Sequence, residues 1–242
     1  MAILINGITS SVGQSLLKII CDENEEVVGT GRDLSKLQGL QKNFKKLRII
    51  EIPNLLDIEN ARKIMWGLKN EHAITGYVHC TGKLNRYSDL SDITIEKWEE
   101  TIRVNLTSVF VWNKLMIEYF FEKKISGSIV NLTSQAFHTG GYSLIPDYAA
   151  SKGGIVSLTK SLARWSSEYG IRINCVSPGF INNSMMQDGL SQEKQNLFIS
   201  KIPLGRFAEP VEVAEVCNFL LKEKSSYITG EVIDVSGGQI LG

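Results

Sequence analysis

Two side chains four residues apart carry the strongest chemical signal in this sequence: Tyr148 and Lys152, in the run Tyr148-Ala149-Ala150-Ser151-Lys152. On a helix that spacing sets both on one face, one turn apart. A free tyrosine has a pKa near ~10, and a neighbouring ammonium favours the phenolate, bringing the phenol toward the range where it can exchange a proton. Each unit of such a shift is worth roughly 1.4 kcal/mol. Ser134 follows the apolar run Ser128-Ile129-Val130-Asn131-Leu132, and Asn105 stands in Val104-Asn105-Leu106. A serine hydroxyl can hydrogen-bond a developing oxyanion, a contact whose loss commonly costs about 10²–10³ in rate. Tyr148 would then give a proton to a carbonyl oxygen as hydride arrives, interconverting a carbonyl and a secondary alcohol. Taken singly, a serine after a strand is an ordinary cap and a tyrosine opening a helix is ordinary packing. Their joint order points to chemistry.

A second constellation opens the chain. Asn6-Gly7-Ile8-Thr9-Ser10-Ser11-Val12-Gly13 follows the run Ile3-Leu4-Ile5 and leads into Leu16-Leu17 and Ile19-Ile20. A strand, turn and helix in this order aim backbone N–H groups and the positive end of the helix dipole at a pyrophosphate. Gly7, Thr9, Ser10, Ser11, Val12 and Gly13 are the expected contacts; an ordinary tight turn is the competing reading. The run Val27-Val28 then leads to Gly29-Thr30-Gly31-Arg32-Asp33, where an acid would bind the ribose of NAD and a cation the extra phosphate of NADP. Gly31 stands at the acid position and Arg32 follows it. A guanidinium pairs bidentately with a 2′-phosphate, so NADP(H) is expected over NAD(H), with a solvated arginine as the alternative.

These groups need a scaffold. Short β-branched or aliphatic runs recur at 3–5, 27–28, 48–52, 77–79, 128–132, 171–176 and 232–235, and longer stretches such as 98–121 and 148–169 carry apolar residues at helical spacing. Seven near-continuous apolar strands alternating with helices predict a parallel sheet covered on both faces: an α/β, Rossmann-like three-layer sandwich. With 242 residues and no repeat or linker, one domain spanning 1–242 is expected. The longest departure from the pattern, 181–200, is a candidate lid over the site.

Composition narrows the partners. Twenty-six basic side chains balance 26 acidic ones, which argues against a dedicated nucleic-acid binder. No apolar run approaches the roughly 18 residues of a membrane span, and 1–5 meets Asn6-Gly7 too soon for a signal peptide, so no membrane partner and a cytoplasmic location are expected. Cys21, Cys80, Cys175 and Cys217 form no C-x-x-C pair and read as small buried hydrophobes. His72, His79 and His138 share no ligand spacing, so no metal is expected.

Together the first turn, Asn105, Ser134, Tyr148 and Lys152, the run Asn174-Cys175-Val176-Ser177-Pro178-Gly179-Phe180, Pro203-Leu204-Gly205-Arg206 and Tyr227-Ile228-Thr229-Gly230 resemble the classical short-chain dehydrogenase/reductase family across essentially the whole chain. The branch most resembled is that of the 3-oxoacyl-(acyl-carrier-protein) reductases. The resemblance implies that Asn105, Ser134, Tyr148 and Lys152 form a catalytic tetrad, with Lys152 also holding the nicotinamide ribose and Asn105 a water that links Lys152 to solvent. It extends the cofactor-binding set to Asn54, Leu55, Cys80, Gly82, Pro178, Gly179, Ile181 and Asn183, besides Tyr148 and Lys152. It also places Phe137, His138, Tyr142, Ile145, Phe180, Met185 and Met186 in segments that line the substrate cleft beside Ser134, although packing is the plainer role for each methionine.

The sequence departs from the family pattern in places. Ser10 and Ser11 occupy the positions where a central glycine of the turn would stand, and His79-Cys80-Thr81-Gly82 replaces Asn-Asn-Ala-Gly, with His79 expected to tie adjacent strands. Asn54 stands for an Asp that meets the adenine amino group, and Asn183 for a Thr that touches the carboxamide; amides can take both bonds. The turn does not separate the classical from the extended branch; with the last expected strand close to Gly242, the classical branch without a further substrate region is expected. Ile125 and Tyr169 stand where carrier-protein reductases present arginines, with Lys123 and Lys124 beside the first. The expected substrate is a small ketone or alcohol, possible carrier or CoA linkage included. The apolar helices at 98–121 and 148–169, which pair between subunits in the family, imply a homotetramer, with a dimer as fallback. A non-catalytic NADP-binding sensor or scaffold is the alternative function.

Overall fold

Residues 2–67, 73–183 and 191–241 of a computed structural model of the chain are described. Among them, seven strands form one all-parallel sheet in the order β3-β2-β1-β4-β5-β6-β7. The strands are β1 (Ala2–Asn6), β2 (Glu26–Gly31), β3 (Leu47–Glu51), β4 (Ile74–His79), β5 (Ser128–Leu132), β6 (Arg172–Pro178) and β7 (Val232–Val235). Each contains one of the seven apolar runs or nearly all of it. The described helices are α1 (Ser11–Asp22), α2 (Leu34–Asn43), α3 (Ile58–Trp66), α4 (Ile95–Ile102), α5 (Ser108–Lys123), α6 (Ala136–Thr139), α7 (Pro146–Ser166), α8 (Gln192–Ile199) and α9 (Pro210–Leu221).

Side chains on a strand alternate between faces, and β1 uses both. Ile3 and Ile5 pack with Leu16, Leu17 and Ile20 of α1 and with Val213, Cys217 and Leu220 of α9. Ala2 and Leu4 join the opposite layer with Met65 of α3, Trp112 and Phe120 of α5 and Ala163 of α7. This two-faced burial is why the strands are apolar without interruption. The chain runs outward from β1 to β3 and then returns to β4 on the other side of β1. Such a reversal opens a crevice at the carboxyl ends of β1 and β4.

Two buried polar features cross this apolar frame. Between α4 and α5 the helix does not break but widens into a π-helical turn, Arg103–Thr107, with Asn105 fully buried at its centre. Wide turns of this kind are rare and recur at functional sites. Under the crevice, Thr30 Oγ1 donates to Asn6 Oδ1 at 3.0 Å and Asn6 Nδ2 to the Tyr77 oxygen at 3.5 Å. Tyr77 meets His79 Nδ1 at 2.6 Å, His79 Nε2 meets Ser108 Oγ at 3.3 Å, and Ser108 donates to the Val104 carbonyl at 2.6 Å. Because Ser108 spends its proton on Val104, Nε2 carries the imidazole hydrogen and Nδ1 accepts from Tyr77. Burial, assisted by the charge of Lys152, holds the His79 pKa down to about 3. The ring is therefore a neutral tie between β4 and α5.

Candidate active site

The turn after β1 is built mainly from backbone. Gly7 takes φ +79°, and a Cβ on it would lie 2.7 Å from Thr81 Oγ1. That left-handed conformation and close approach to the end of β4 both call for glycine. A Cβ on Gly13 would lie 2.7 Å from the Gly7 carbonyl oxygen, so the helix can start this close to the turn only without a side chain. Ser10 caps α1 by accepting from the Gly13 N–H at 3.1 Å. The turn needs these two glycines for geometry, and Ser10 takes up a capping job.

Thr9, Ser10, Ser11 and Val12 line one end of a cavity of about 300 Å³, and Ser134, Tyr148 and Lys152 line the other. Between them the walls include Cys80 and Gly82 after β4 and Pro178, Gly179, Ile181 and Asn183 after β6. Asn183 Nδ2 donates to Ser11 Oγ at 3.3 Å, joining the end of β6 to the turn. Gly7 and Gly13 shape the wall from behind.

At the inner end, Pro146 opens α7, a residue suited to the first helical position. Tyr148 follows in the first turn and Lys152 one turn later. Lys152 is buried, its Nζ donates to the Leu132 carbonyl at 2.8 Å, and it lies 5.5 Å from the centre of the Tyr148 ring. Burial lowers its pKa to about 8. Burial also raises the Tyr148 phenol above its ordinary value, opposed by its hydrogen bond with Ser134 and by the charge of Arg86. Ser134 and Arg86 thus favour the phenolate, while the Lys152 ammonium lies beside the ring and is held by the Leu132 carbonyl.

Asn105 stands behind the cavity wall. Its Oδ1 accepts from the Lys83 N–H at 2.7 Å, and its Nδ2 donates to the Lys83 carbonyl at 2.8 Å and to Ser151 Oγ at 3.1 Å. A Cβ on Gly82 would lie 3.7 Å from Lys152 Nζ and 3.8 Å from Asn105 Oδ1. Asn105, Gly82 and Lys152 therefore converge, although Asn105 does not line the cavity.

Comparison with known proteins gives the arrangement its lineage. A family model described as enoyl-(acyl carrier protein) reductase matches residues 7–239. The chain belongs to the short-chain dehydrogenase/reductase family. It is 31% identical over 241 residues to a 3-oxoacyl-[acyl-carrier-protein] reductase of Thermotoga maritima, covering 98% of this chain and 97% of that one. It is 32% identical over 241 residues to one of Aquifex aeolicus, covering 97% and 95%. A crystal structure of a short chain dehydrogenase from Bacillus anthracis superposes with a TM-score of 0.87 at 25% identity, covering 100% of this chain and 97% of that one. The seven-stranded parallel sheet flanked by helices is thus the Rossmann-type fold of that family.

In this short-chain dehydrogenase/reductase the far end of the crevice is more exposed. Arg32 is exposed after β2, outside the cavity wall. Asp33 is occupied as the N-cap of α2, accepting from the Ser35 and Lys36 N–H groups. A Cβ on Gly31 would lie 3.2 Å from the Leu37 side chain, so any larger residue there has to displace that leucine by a few tenths of an ångström. Asn54 Oδ1 accepts from the Leu56 N–H at 3.0 Å, and Leu55 gives its carbonyl to the Trp112 indole at 2.9 Å. Neither lines the cavity; Leu55 packs against the core instead.

Of the substrate-lining residues expected, Ser134, Tyr142, Ile145 and Phe180 line the cavity. Phe137 and His138 do not. Their rings lie 3.7 Å apart, and His138 Nε2 turns to Asp234 of β7 at 3.4 Å, while Ala136 of the same helix does line the cavity. Met185 and Met186 lie outside the described residues, as do His72 and 184–190 of the expected lid. From the described part of that segment Phe198 reaches the wall, stacked on Phe180 at 4.8 Å. Leu84 and Arg86 also line it and were missed in the sequence reading. Arg86 had one signal: a cation in the loop that follows Gly82 at the end of a central strand.

Among the described residues no helix is long and apolar enough to cross a membrane, and no group of three or more His, Cys, Asp or Glu is placed to hold a metal ion.

Proposed function

We propose that this protein is an NADP(H)-dependent oxidoreductase that interconverts a ketone and a secondary alcohol. The observation that carries the reading is the meeting of the Ser134 hydroxyl, the Tyr148 phenol and the buried Lys152 in one cavity with the N-terminus of α1. The residues fit a dinucleotide: Gly7 and Gly13 clear the turn of side chains, and the first turn of α1 faces the space. A bound nicotinamide dinucleotide supplies or accepts the hydride. The N–H groups of the turn would hold its pyrophosphate, and Arg32 would pair with a 2′-phosphate while Asp33 is committed to capping α2.

Ser134 orients the carbonyl oxygen by hydrogen bonding, and Tyr148 transfers the proton at that oxygen. Lys152, one turn below, would hold the ribose and supply charge beside Tyr148, with Asn105 holding the adjoining wall. A scaffold has no need to bring a buried lysine, a phenol and a hydroxyl together in one cavity. The relatives' names suggest 3-oxoacyl thioesters as a substrate class, and four free cysteines suit the reducing cytoplasm. Phe110 and Phe121 of α5 and Trp165 of α7, all exposed, support pairing of these helices in a homotetramer, which light scattering tests.

The deciding experiment follows NADPH absorbance with the purified protein and a panel of ketones, 3-oxoacyl thioesters and, as control, an enoyl thioester. Consumption with a ketone or oxoacyl thioester is expected. Consumption with the enoyl thioester alone, or with none of the panel, overturns the proposal.

A further inference from the structure

The main chain of Tyr148 is gripped at both ends, and the side chain at one of them has no part in the tetrad. The Tyr148 N–H lies in the first turn of α7, where no carbonyl of the helix can receive it, and it donates to Asp147 Oδ1 at 2.8 Å. The Tyr148 carbonyl accepts from Ser151 Oγ at 2.7 Å, and Ser151 accepts from Asn105 Nδ2 at 3.1 Å. The second oxygen of Asp147 collects three more donors: the Thr101 hydroxyl at 2.6 Å, the Tyr87 hydroxyl at 2.8 Å and Asn85 Nδ2 at 3.5 Å. Asp147 and Thr101 are both fully buried. All four partners are donors, as an ionised carboxylate, which can only accept, requires.

Two of these donors belong to a strap that forms part of the cavity wall. Lys83 gives both its N–H and its carbonyl to Asn105. Asn85 is tied to Thr101 and Asp147, and Tyr87 to Asp147 and, through its N–H, to the Leu144 carbonyl at 3.2 Å in an antiparallel bridge. The residues between them, Leu84 and Arg86, line the cavity. Asn105 and Asp147 therefore hold the strap at three alternate residues and the main chain of Tyr148 at both ends. Burial of a carboxylate is costly unless its oxygens are hydrogen-bonded, and a neutral cap would suffice to start the helix. What the carboxylate adds is a second acceptor oxygen, one for α7 and one for the strap. An amide has a single acceptor oxygen and cannot serve both.

We propose that Asp147 is a positioning residue that acts through Tyr148, fixing the start of α7 against the strap 83–87 so that the phenol keeps one position relative to the cavity wall. This rests on the carbonyl-reductase reading and deepens it. The test measures kcat and KM for a ketone that the wild type reduces with NADPH, in Asp147→Asn, Thr101→Val, Thr101→Ser and Tyr87→Phe, each made both alone and in the Tyr148→Phe background. Single-turnover conditions at high enzyme concentration bring the residual rate of Tyr148→Phe within reach. Asp147→Asn should lower kcat by about 10–100-fold, the cost of a small displacement of a reacting group, with KM and NADPH affinity held within about 3-fold. Thr101→Val and Tyr87→Phe, which each remove one donor, should lower kcat by about 3–10-fold, and Thr101→Ser, which keeps the hydroxyl, should restore it. In the Tyr148→Phe background Asp147→Asn should cost less than about 3-fold, because side chains that act as one unit are not additive. An undiminished kcat in Asp147→Asn, a loss carried by KM, or the same loss in both backgrounds overturns the proposal, the last because Asp147 then serves the fold and not Tyr148. Should Asp147→Asn fail to fold, Thr101→Val and Tyr87→Phe decide by the same comparison. Wild-type turnover without a Tyr148-dependent loss sinks this proposal alone; no turnover of any ketone sinks the carbonyl-reductase reading with it.

Discussion

The two ends of the crevice solve their tasks with different materials. The turn at β1 and α1 works through main chain: a positive φ at Gly7, a helix start made possible by Gly13, and a serine cap. The end at β5 and α7 works through side chains whose ionisation the fold displaces: the buried Lys152 down to about 8, the half-buried Tyr148 upward, and the buried His79 down to about 3. A backbone site keeps its geometry while most side chains change, which is how Ser10 and Ser11 can stand in a turn built on Gly7 and Gly13. A site made of displaced ionisations has no such tolerance. Each buried group is compensated by particular neighbours, so loss of one leaves the others uncompensated.

That contrast can be broken by mutation, beginning with the largest expected effect. Tyr148→Phe should lower kcat by about 10³-fold or more while NADPH affinity, read by fluorescence titration, stays within about 3-fold; substantial turnover would show that proton transfer is not concentrated in this side chain. Ser134→Ala should cost about 10²–10³ in kcat, the range for removal of one oxyanion donor. A loss confined to KM would place Ser134 in ground-state binding only. At the other end, Arg32→Ala should weaken NADPH by about 10–100-fold and NADH hardly at all, as loss of a charge-assisted pair worth roughly 1.5–3 kcal/mol requires. Equal losses for both dinucleotides would remove Arg32 from cofactor choice.

The smallest effect concerns stability against pH. His79 takes a proton at about 3 when folded and at 6.5 when unfolded. The unfolded chain therefore binds the extra proton between these values, and stability that is complete above pH 6.5 is lost as pH falls toward 3. At pH 5 the loss is about 2 kcal/mol. His79→Asn lacks this titration, so whatever gap in unfolding free energy separates it from the wild type at pH 7 should narrow by about that amount at pH 5. Parallel denaturant curves at the two pH values check it, and a constant gap would mean that His79 is not held neutral.

What the sequence disclosed follows the same division. The strands were legible because burial on both faces leaves a local mark, near-continuous apolar residues, and the turn because Gly7 and Gly13 are local requirements. Ser134, Tyr148 and Lys152 were legible from type and spacing, and the structure brings them to one cavity. Pairings with residues far along the chain were hidden. Nothing near His138 announces Asp234, 96 positions later, which draws it off the cleft. Nothing near Asn54 separates an Asx-type bond to Leu56 from a bond to a ligand. The π-helical turn at Asn105 has no composition of its own, and Arg86 lies in a loop without periodicity, visible as a wall residue only once Asp147 has fixed its neighbours.

The buried chain from Thr30 to Val104 also bears on how this molecule can change over generations. Its hydrogen bonds run one way, and Asn6, Tyr77, His79 and Ser108 each both give and take. Exchange of a single inner member strands a buried donor or acceptor, at a cost of about 1–3 kcal/mol. An asparagine at 79 reaches less far than an imidazole, so it could not span Tyr77 and Ser108 unaided. Descendants and cousins should therefore alter 77, 79 and 108 together, inheriting them as one character rather than three.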